Sequence, residues 1–111
     1  MTNDTTQYRP LIGEIALVTG ASRGIGAAIA DLLASQGATV IGTATSDSGA
    51  QAIGERLAPL GGHGRKLDVV DGAAVEALID GIAGEFGPVS ILVNNAGITR
   101  DNLLMRMKDE E

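Results

Sequence analysis

The sequence predicts an α/β fold, a parallel sheet with helices on both of its faces, and three observations carry that prediction. Short apolar runs recur along the chain, Ile15–Val18 and Val89–Val93 being the least interrupted, as buried parallel strands require. Segments with helical spacing of apolar residues separate them. A glycine-rich turn, Gly20 to Gly26, joins the first apolar run to the first such segment. Strictly alternating strands and helices imply right-handed crossovers and a parallel sheet. The expected order is 3-2-1-4, an incomplete doubly wound, three-layer sheet of the Rossmann type.

The elements follow in order. Residues 1–13 are polar and are expected to be a flexible extension; residues 14–111 are expected to form the cofactor-binding portion of a single domain. Glu14 to Thr19 is the first strand. The first helix is expected from Arg23 to Gln36, with Ile25, Ile29, Leu32 and Leu33 as its apolar residues and Gly37 ending it. Ala38 to Thr43, with Thr39, Val40 and Ile41, favours a second strand. Ser46 or Asp47 can cap a second helix with the stripe Ala50, Ile53 and Leu57, and Pro59 stops it. The loop Gly61–Gly64 leads to a third strand, Arg65 to Val69. Asp71 can cap a third helix that buries Val75, Leu78, Ile79, Ile82 and Phe86, before the Gly87-Pro88 break. Val89 to Val93 is the fourth strand. It is expected to present an unpaired apolar edge for want of neighbouring strands, and 98–108 reads by periodicity as a loop entering a helix.

Composition removes several functions. The chain has 111 residues and a formal net charge of −6 with no basic tract, which disfavours nucleic-acid binding. It has no cysteine, so disulfides and thiolate metal sites are excluded, and its single histidine, His63, reads as an exposed loop residue without metal-binding partners. Tyr8 and Phe86 are the only Phe, Tyr or Trp residues, so the core must be aliphatic. No apolar run is long enough to span a bilayer and residues 1–12 lack a signal-peptide core, so a cytoplasmic protein without membrane contact is expected.

The glycine turn carries the chemistry. Gly20 lets the chain leave the strand through a conformation closed to residues with a Cβ. Gly24 and Gly26 let a ligand approach the backbone and let the helix pack close to the sheet. The N–H groups and positive dipole end of the following helix suit a phosphate. Its spacing is Gly-x-x-x-Gly-x-Gly rather than the commoner Gly-x-Gly-x-x-Gly. On this reading Gly26→Val abolishes ligand binding and spares most of the fold. Asn94-Asn95-Ala96-Gly97 follows the fourth strand, where the sheet order reverses and ligands of such folds bind. Its amides can pair with backbone groups at the diverging strand ends. Nicotinamide adenine dinucleotide folds place an acid about 20 residues past the glycine loop, on the ribose 2′-hydroxyl. Here the second strand ends Gly42-Thr43-Ala44-Thr45-Ser46, without that acid. Arg23 can bind a 2′-phosphate instead, with Thr45 and Ser46 adding hydroxyls, which favours NADP(H).

Thr19-Gly20-Ala21-Ser22-Arg23-Gly24-Ile25-Gly26 together with Asn94-Asn95-Ala96-Gly97 resembles the short-chain dehydrogenase/reductase family. From about Ile15 onward, including Ile98 to Lys108, the chain is similar to that family's bacterial 3-oxoacyl-[acyl-carrier-protein] reductases. The resemblance implies NADPH-dependent reduction of an acyl-carrier-protein-bound 3-oxoacyl group in fatty acid synthesis, and a homotetramer. It implies a cofactor site made of Gly20, Ala21, Ser22, Arg23, Gly24, Ile25, Gly26, Thr45, Asp68, Val69, Asn95, Ala96 and Gly97, with Asp68 and Val69 flanking the adenine. It also implies a catalytic Ser, a Tyr-x-x-x-Lys pair and a further Asn, all downstream of the matched region. The chain has none of them in place: its tyrosine is Tyr8 and its lysines are Lys66 and Lys108. The closing run Lys108-Asp109-Glu110-Glu111 has no helix stop signal, and an amino-terminal half of a reductase, inactive alone, is the expectation. The competing expectation is a non-catalytic nucleotide-binding module, or a reductase of another carbonyl compound.

Overall fold

A computed structural model describes residues 9–95 and the backbone of residues 104 and 105. Strands β1 (Ile15–Val18), β2 (Thr39–Ala44), β3 (His63–Lys66) and β4 (Ile91–Val93) alternate with helices α1 (Gly24–Ser35), α2 (Asp47–Leu57) and α3 (Gly72–Glu85). The strands are parallel, in the order β3-β2-β1-β4, as expected for a Rossmann-type sheet. In register, Leu17 of the central strand lies beside Ile41 on one side and Leu92 on the other.

The fourth strand departs from expectation at its outer side. Leu104–Met105 forms a short strand, β5, antiparallel to β4, pairing Leu92 with Met105 and Val93 with Leu104. The edge expected to be unpaired is therefore paired over two positions, and this part of 98–108 is strand rather than loop or helix. The rest of 96–111 lies outside the described residues.

Strand alternation divides the apolar residues between two layers. Ala16, Val18, Val40 and Ala44 pack with α1 and α2 through Ala30, Ala34, Ile53 and Leu57. Ile15, Leu17 and Ile41 pack on the opposite face with Ile82 of α3 and with Val89, under Leu78, Ile79 and Phe86. On α2 the expected stripe holds: Ile53 and Leu57 are fully buried, which stabilises the domain by about 1.5–3 kcal/mol per side chain.

On α1 the stripe is different. Its buried residues are Gly26, Ala30 and Ala34; of the expected stripe, Ile29 and Leu33 are half-buried against the same core, whereas Ile25 is 66% and Leu32 57% exposed. The physical reason is distance: a helix lying close on the sheet can turn only small side chains inward, so its larger ones face sideways or out. Gly37 ends α1 as expected, with φ +105° and its N–H donating to the Ala34 carbonyl. Residues 9–13 form a turn against this end. The Leu11 N–H donates to the Gln36 carbonyl at 2.9 Å, and the Leu11 side chain packs on the α1–α2 layer.

The third strand begins earlier and ends earlier than expected. His63 is its first residue, half-buried with its ring 4.6 Å from that of Phe86, and not a loop residue. Gly64 has no room for a Cβ, which would overlap the Ala50 carbonyl and come 2.8 Å from the Gly54 nitrogen. That close fit of α2 against β3 fixes which residues pair with β2. Leu67, Asp68 and Val69 lie beyond the strand, though the Leu67 N–H still donates to the Ala44 carbonyl at 2.8 Å.

Candidate functional site

The exits of the four parallel strands bring most of the predicted residues to one edge of the sheet. The loop 20–23 leaves β1, Thr45 leaves β2, Asp68 and Val69 leave β3, and Asn94 and Asn95 leave β4. Ala96 and Gly97 lie outside the described residues.

The loop after β1 has an anchored half and an open half. In the anchored half, the Thr19 N–H donates to the Val93 carbonyl at 3.0 Å and the Ala21 N–H to the Thr43 carbonyl at 2.8 Å. The Asn95 amide Nδ2 donates to the Gly20 carbonyl at 3.1 Å, and the Thr19 hydroxyl donates to Asn94 Oδ1 at 3.3 Å. The amides of Asn94 and Asn95 thus tie the glycine loop to the end of β4, Asn95 through a backbone carbonyl as its chemistry suggested and Asn94 through the Thr19 hydroxyl. In the open half, Ser22, Arg23, Gly24 and Ile25 are all exposed.

The three glycines separate by role. Gly20 and Gly24 both have φ +64°, a conformation residues with a Cβ rarely adopt. A Cβ on Gly24 would meet nothing within 4 Å, so the space over it is open. Gly26 is buried. A Cβ there would overlap the Gly20 carbonyl oxygen and stand 2.7 Å from Asn95 Nδ2. It is a packing glycine inside the loop's own framework, so the expectation that Gly26→Val spares the fold is corrected: the clash is with backbone of this chain.

The start of α1 is suited to an anion. Its cap residue, Arg23, makes no side-chain cap, and the first turn carries no acidic residue. The exposed N–H groups and dipole there favour negative charge. The start of α2 lies alongside: a Cβ on Gly49 would be 3.8 Å from Ser22 Cβ. The same position would lie 3.1 Å from Ser46 Oγ, so Ser22 and Ser46 flank Gly49. Ser46 is already engaged, its Oγ accepting the Gly49 N–H at 3.0 Å, while Thr45 is exposed. Asp68 turns its own loop, Oδ1 accepting the Val70 N–H at 3.1 Å; Val69 is half-buried beside it.

Sequence reasoning missed Arg56. From the last turn of α2 its Nη2 donates to the Ala21 carbonyl at 2.9 Å, and its Nε to Asp31 of α1 at 3.0 Å. No local pattern marks it, because the contact joins residues 35 apart. Thr43 Oγ1 is buried on β2 without a hydrogen-bond partner among the described residues. Among those residues no group of three or more His, Cys, Asp or Glu could hold a metal ion, and no helix is long and apolar enough to cross a membrane.

A doubly wound sheet whose first strand runs through a glycine turn into an uncapped helix is the architecture of a dinucleotide-binding dehydrogenase domain. Residues 14–111 match the short chain dehydrogenase family, and the chain belongs to it. It is 67% identical over 99 residues to the 3-oxoacyl-[acyl-carrier-protein] reductase of Escherichia coli (strain K12), a match covering 89% of this chain and 40% of that enzyme. The enzyme of the same name from Vibrio cholerae is 65% identical over 101 residues, covering 91% and 41%. That from Pseudomonas aeruginosa is 58% identical over 103 residues, covering 91% and 42%. The chain therefore spans about two-fifths of the length of these curated relatives.

Proposed function

We propose that this chain is the nucleotide-binding portion of an NADP(H)-dependent reductase that converts 3-oxoacyl groups carried on acyl-carrier protein to 3-hydroxyacyl groups. The observation that carries the reading is the open half of the glycine loop, Ser22 to Ile25, at an uncapped helix start. The substrate class follows the names of the relatives, which are 3-oxoacyl-[acyl-carrier-protein] reductases. A homotetrameric, cytoplasmic assembly follows the same family reading.

The bound cofactor supplies a hydride to the ketone carbon. The chain's own residues hold it. Backbone N–H groups at the start of α1 would hold the pyrophosphate, with Gly24 leaving room for it. Arg23 takes the ribose 2′-phosphate through charge-assisted bonds, aided by Thr45. By the family resemblance Asp68 and Val69 would border the adenine and Asn95 would lie beside the cofactor ribose; Ala96 and Gly97, assigned to the same site, lie outside the described residues. Protonating the ketone oxygen needs a positioned acid. The family's Tyr-x-x-x-Lys pair does not occur among these 111 residues, so they do not complete the reaction by themselves.

The test is a comparison of NADPH and NADH by fluorescence titration. NADPH is expected to bind more tightly, and Arg23→Ala to weaken NADPH about tenfold or more while leaving NADH almost unchanged. Equal affinities in the unmodified protein would remove the 2′-phosphate assignment. An assay of NADPH oxidation with a 3-oxoacyl substrate is expected to show no turnover by residues 1–111 alone.

A further inference from the structure

We propose that Arg56 is a positioning residue of the glycine loop, setting the loop's grip on nucleotide phosphates from beneath; this rests on the loop being a nucleotide cradle. Arg56 lies in the last turn of α2, 35 residues from the carbonyl it touches. Its guanidinium uses two of its donors in different directions, Nη2 to the Ala21 carbonyl at 2.9 Å and Nε to Asp31 Oδ1 at 3.0 Å. One side chain therefore joins α1, α2 and the loop.

The consequence for the loop follows from the planarity of the peptide. In a trans peptide the carbonyl and the next N–H point in opposite directions. Asn95 pulls the Gly20 carbonyl one way, and the Ala21 N–H accordingly points to the Thr43 carbonyl. Arg56 draws the Ala21 carbonyl toward itself, so the Ser22 N–H is turned away from Arg56. Two successive peptide planes are thus fixed, and the second is fixed by Arg56. Ser22 begins the exposed half of the loop, where the phosphates sit in the proposed function. Asp31 holds the guanidinium in register. A point-charge ammonium cannot reproduce both bonds, because the fork geometry is particular to arginine.

Arg56 acts on the part of the cofactor that NADPH and NADH share, whereas Arg23 acts on the 2′-phosphate. Titration of both nucleotides against the unmodified protein, Arg56→Met, Arg56→Lys and Arg23→Ala separates them. Methionine retains an aliphatic stem between the helices and removes the donors. Arg56→Met is expected to weaken NADPH and NADH by the same factor, about tenfold, and Arg56→Lys to recover part of that loss. Circular dichroism is expected to show full helix content in both variants. A folded Arg56→Met with a lower melting temperature and unchanged affinities would reduce the residue to a structural ion pair and overturn the proposal. Loss confined to NADPH would put Arg56 on the 2′-phosphate and overturn it too. An unfolded Arg56→Met leaves the decision to Arg56→Lys, in which unchanged affinity for both nucleotides overturns the proposal. Failure of the unmodified protein to bind either nucleotide would instead remove the cradle itself.

Discussion

Three helices begin on the same edge of the sheet, and they begin in two different ways. On α2, Ser46 Oγ accepts the Gly49 N–H; on α3, Asp71 Oδ1 accepts the Ala74 N–H at 3.1 Å. Both helices satisfy part of their own exposed start with a short polar side chain. On α1 the corresponding residue is Arg23, which does not cap and whose charge opposes the helix dipole. A cap of this kind typically contributes about 1 kcal/mol, and α1 lacks that stabilisation. The difference leaves two helix starts capped and one open, the one proposed to take a phosphate. The open start is compensated from below, where Asn95, Thr43 and Arg56 fix the loop through Gly20 and Ala21.

Gly26→Val breaks the contrast most severely. Its side chain would clash with the Gly20 carbonyl and displace Asn95, so a stability loss of about 3 kcal/mol or more is expected in urea unfolding followed by circular dichroism. Nucleotide binding falls with it. A variant as stable as the parent would show that the loop can yield without disturbing the sheet.

Arg23→Asp converts α1 to the style of its neighbours. The residue is already extended, at φ −163° and ψ 173°, so an aspartate there can cap. Melting is expected to rise by the equivalent of about 1 kcal/mol while NADPH affinity falls about 100-fold, since a carboxylate then occupies the phosphate's position. Unchanged affinity would mean that the nucleotide does not use this helix start.

The smallest effect is expected from Asp71→Ala. It opens the start of α3 at a cost of about 1 kcal/mol in unfolding free energy, and the dissociation constant for NADPH stays as it was. A matching loss of affinity would show that α3 takes part in binding.

The helix starts were the most legible features, because Ser46 and Asp71 act on backbone groups within three residues. The parallel sheet was legible for a similar reason: strands buried on both faces are apolar throughout, as in Ile15–Val18. β3 was harder. Its residues are His63-Gly64-Arg65-Lys66, a polar strand whose place is set by the fit of Gly64 under α2, while hydropathy drew attention to Leu67-Asp68-Val69. The inner face of α1 was read in part: Ile29 and Leu33 do pack against the core, but a search for large apolar residues passes over Gly26, Ala30 and Ala34, which are inside because they are small. In the candidate site, Gly20 and Gly24, both at positive φ, and the bond of Asn95 to a backbone carbonyl could be read from local chemistry. Arg56 could not, since only the packed fold brings α2 under the loop.

The bonds that close the loop also say something about time. Asn95 to Gly20, Thr19 to Asn94 and Ser90 to Ile15 each join residues 75 apart, from opposite ends of the described chain. Closing such a span costs chain entropy before any contact repays it, and long-range pairings slow folding. On a ribosome, the segment Thr19–Gly26 emerges before its partner and cannot take its final shape until Asn95 has followed. The loop proposed to hold a nucleotide is thus finished only once a segment 75 residues further along has reached it.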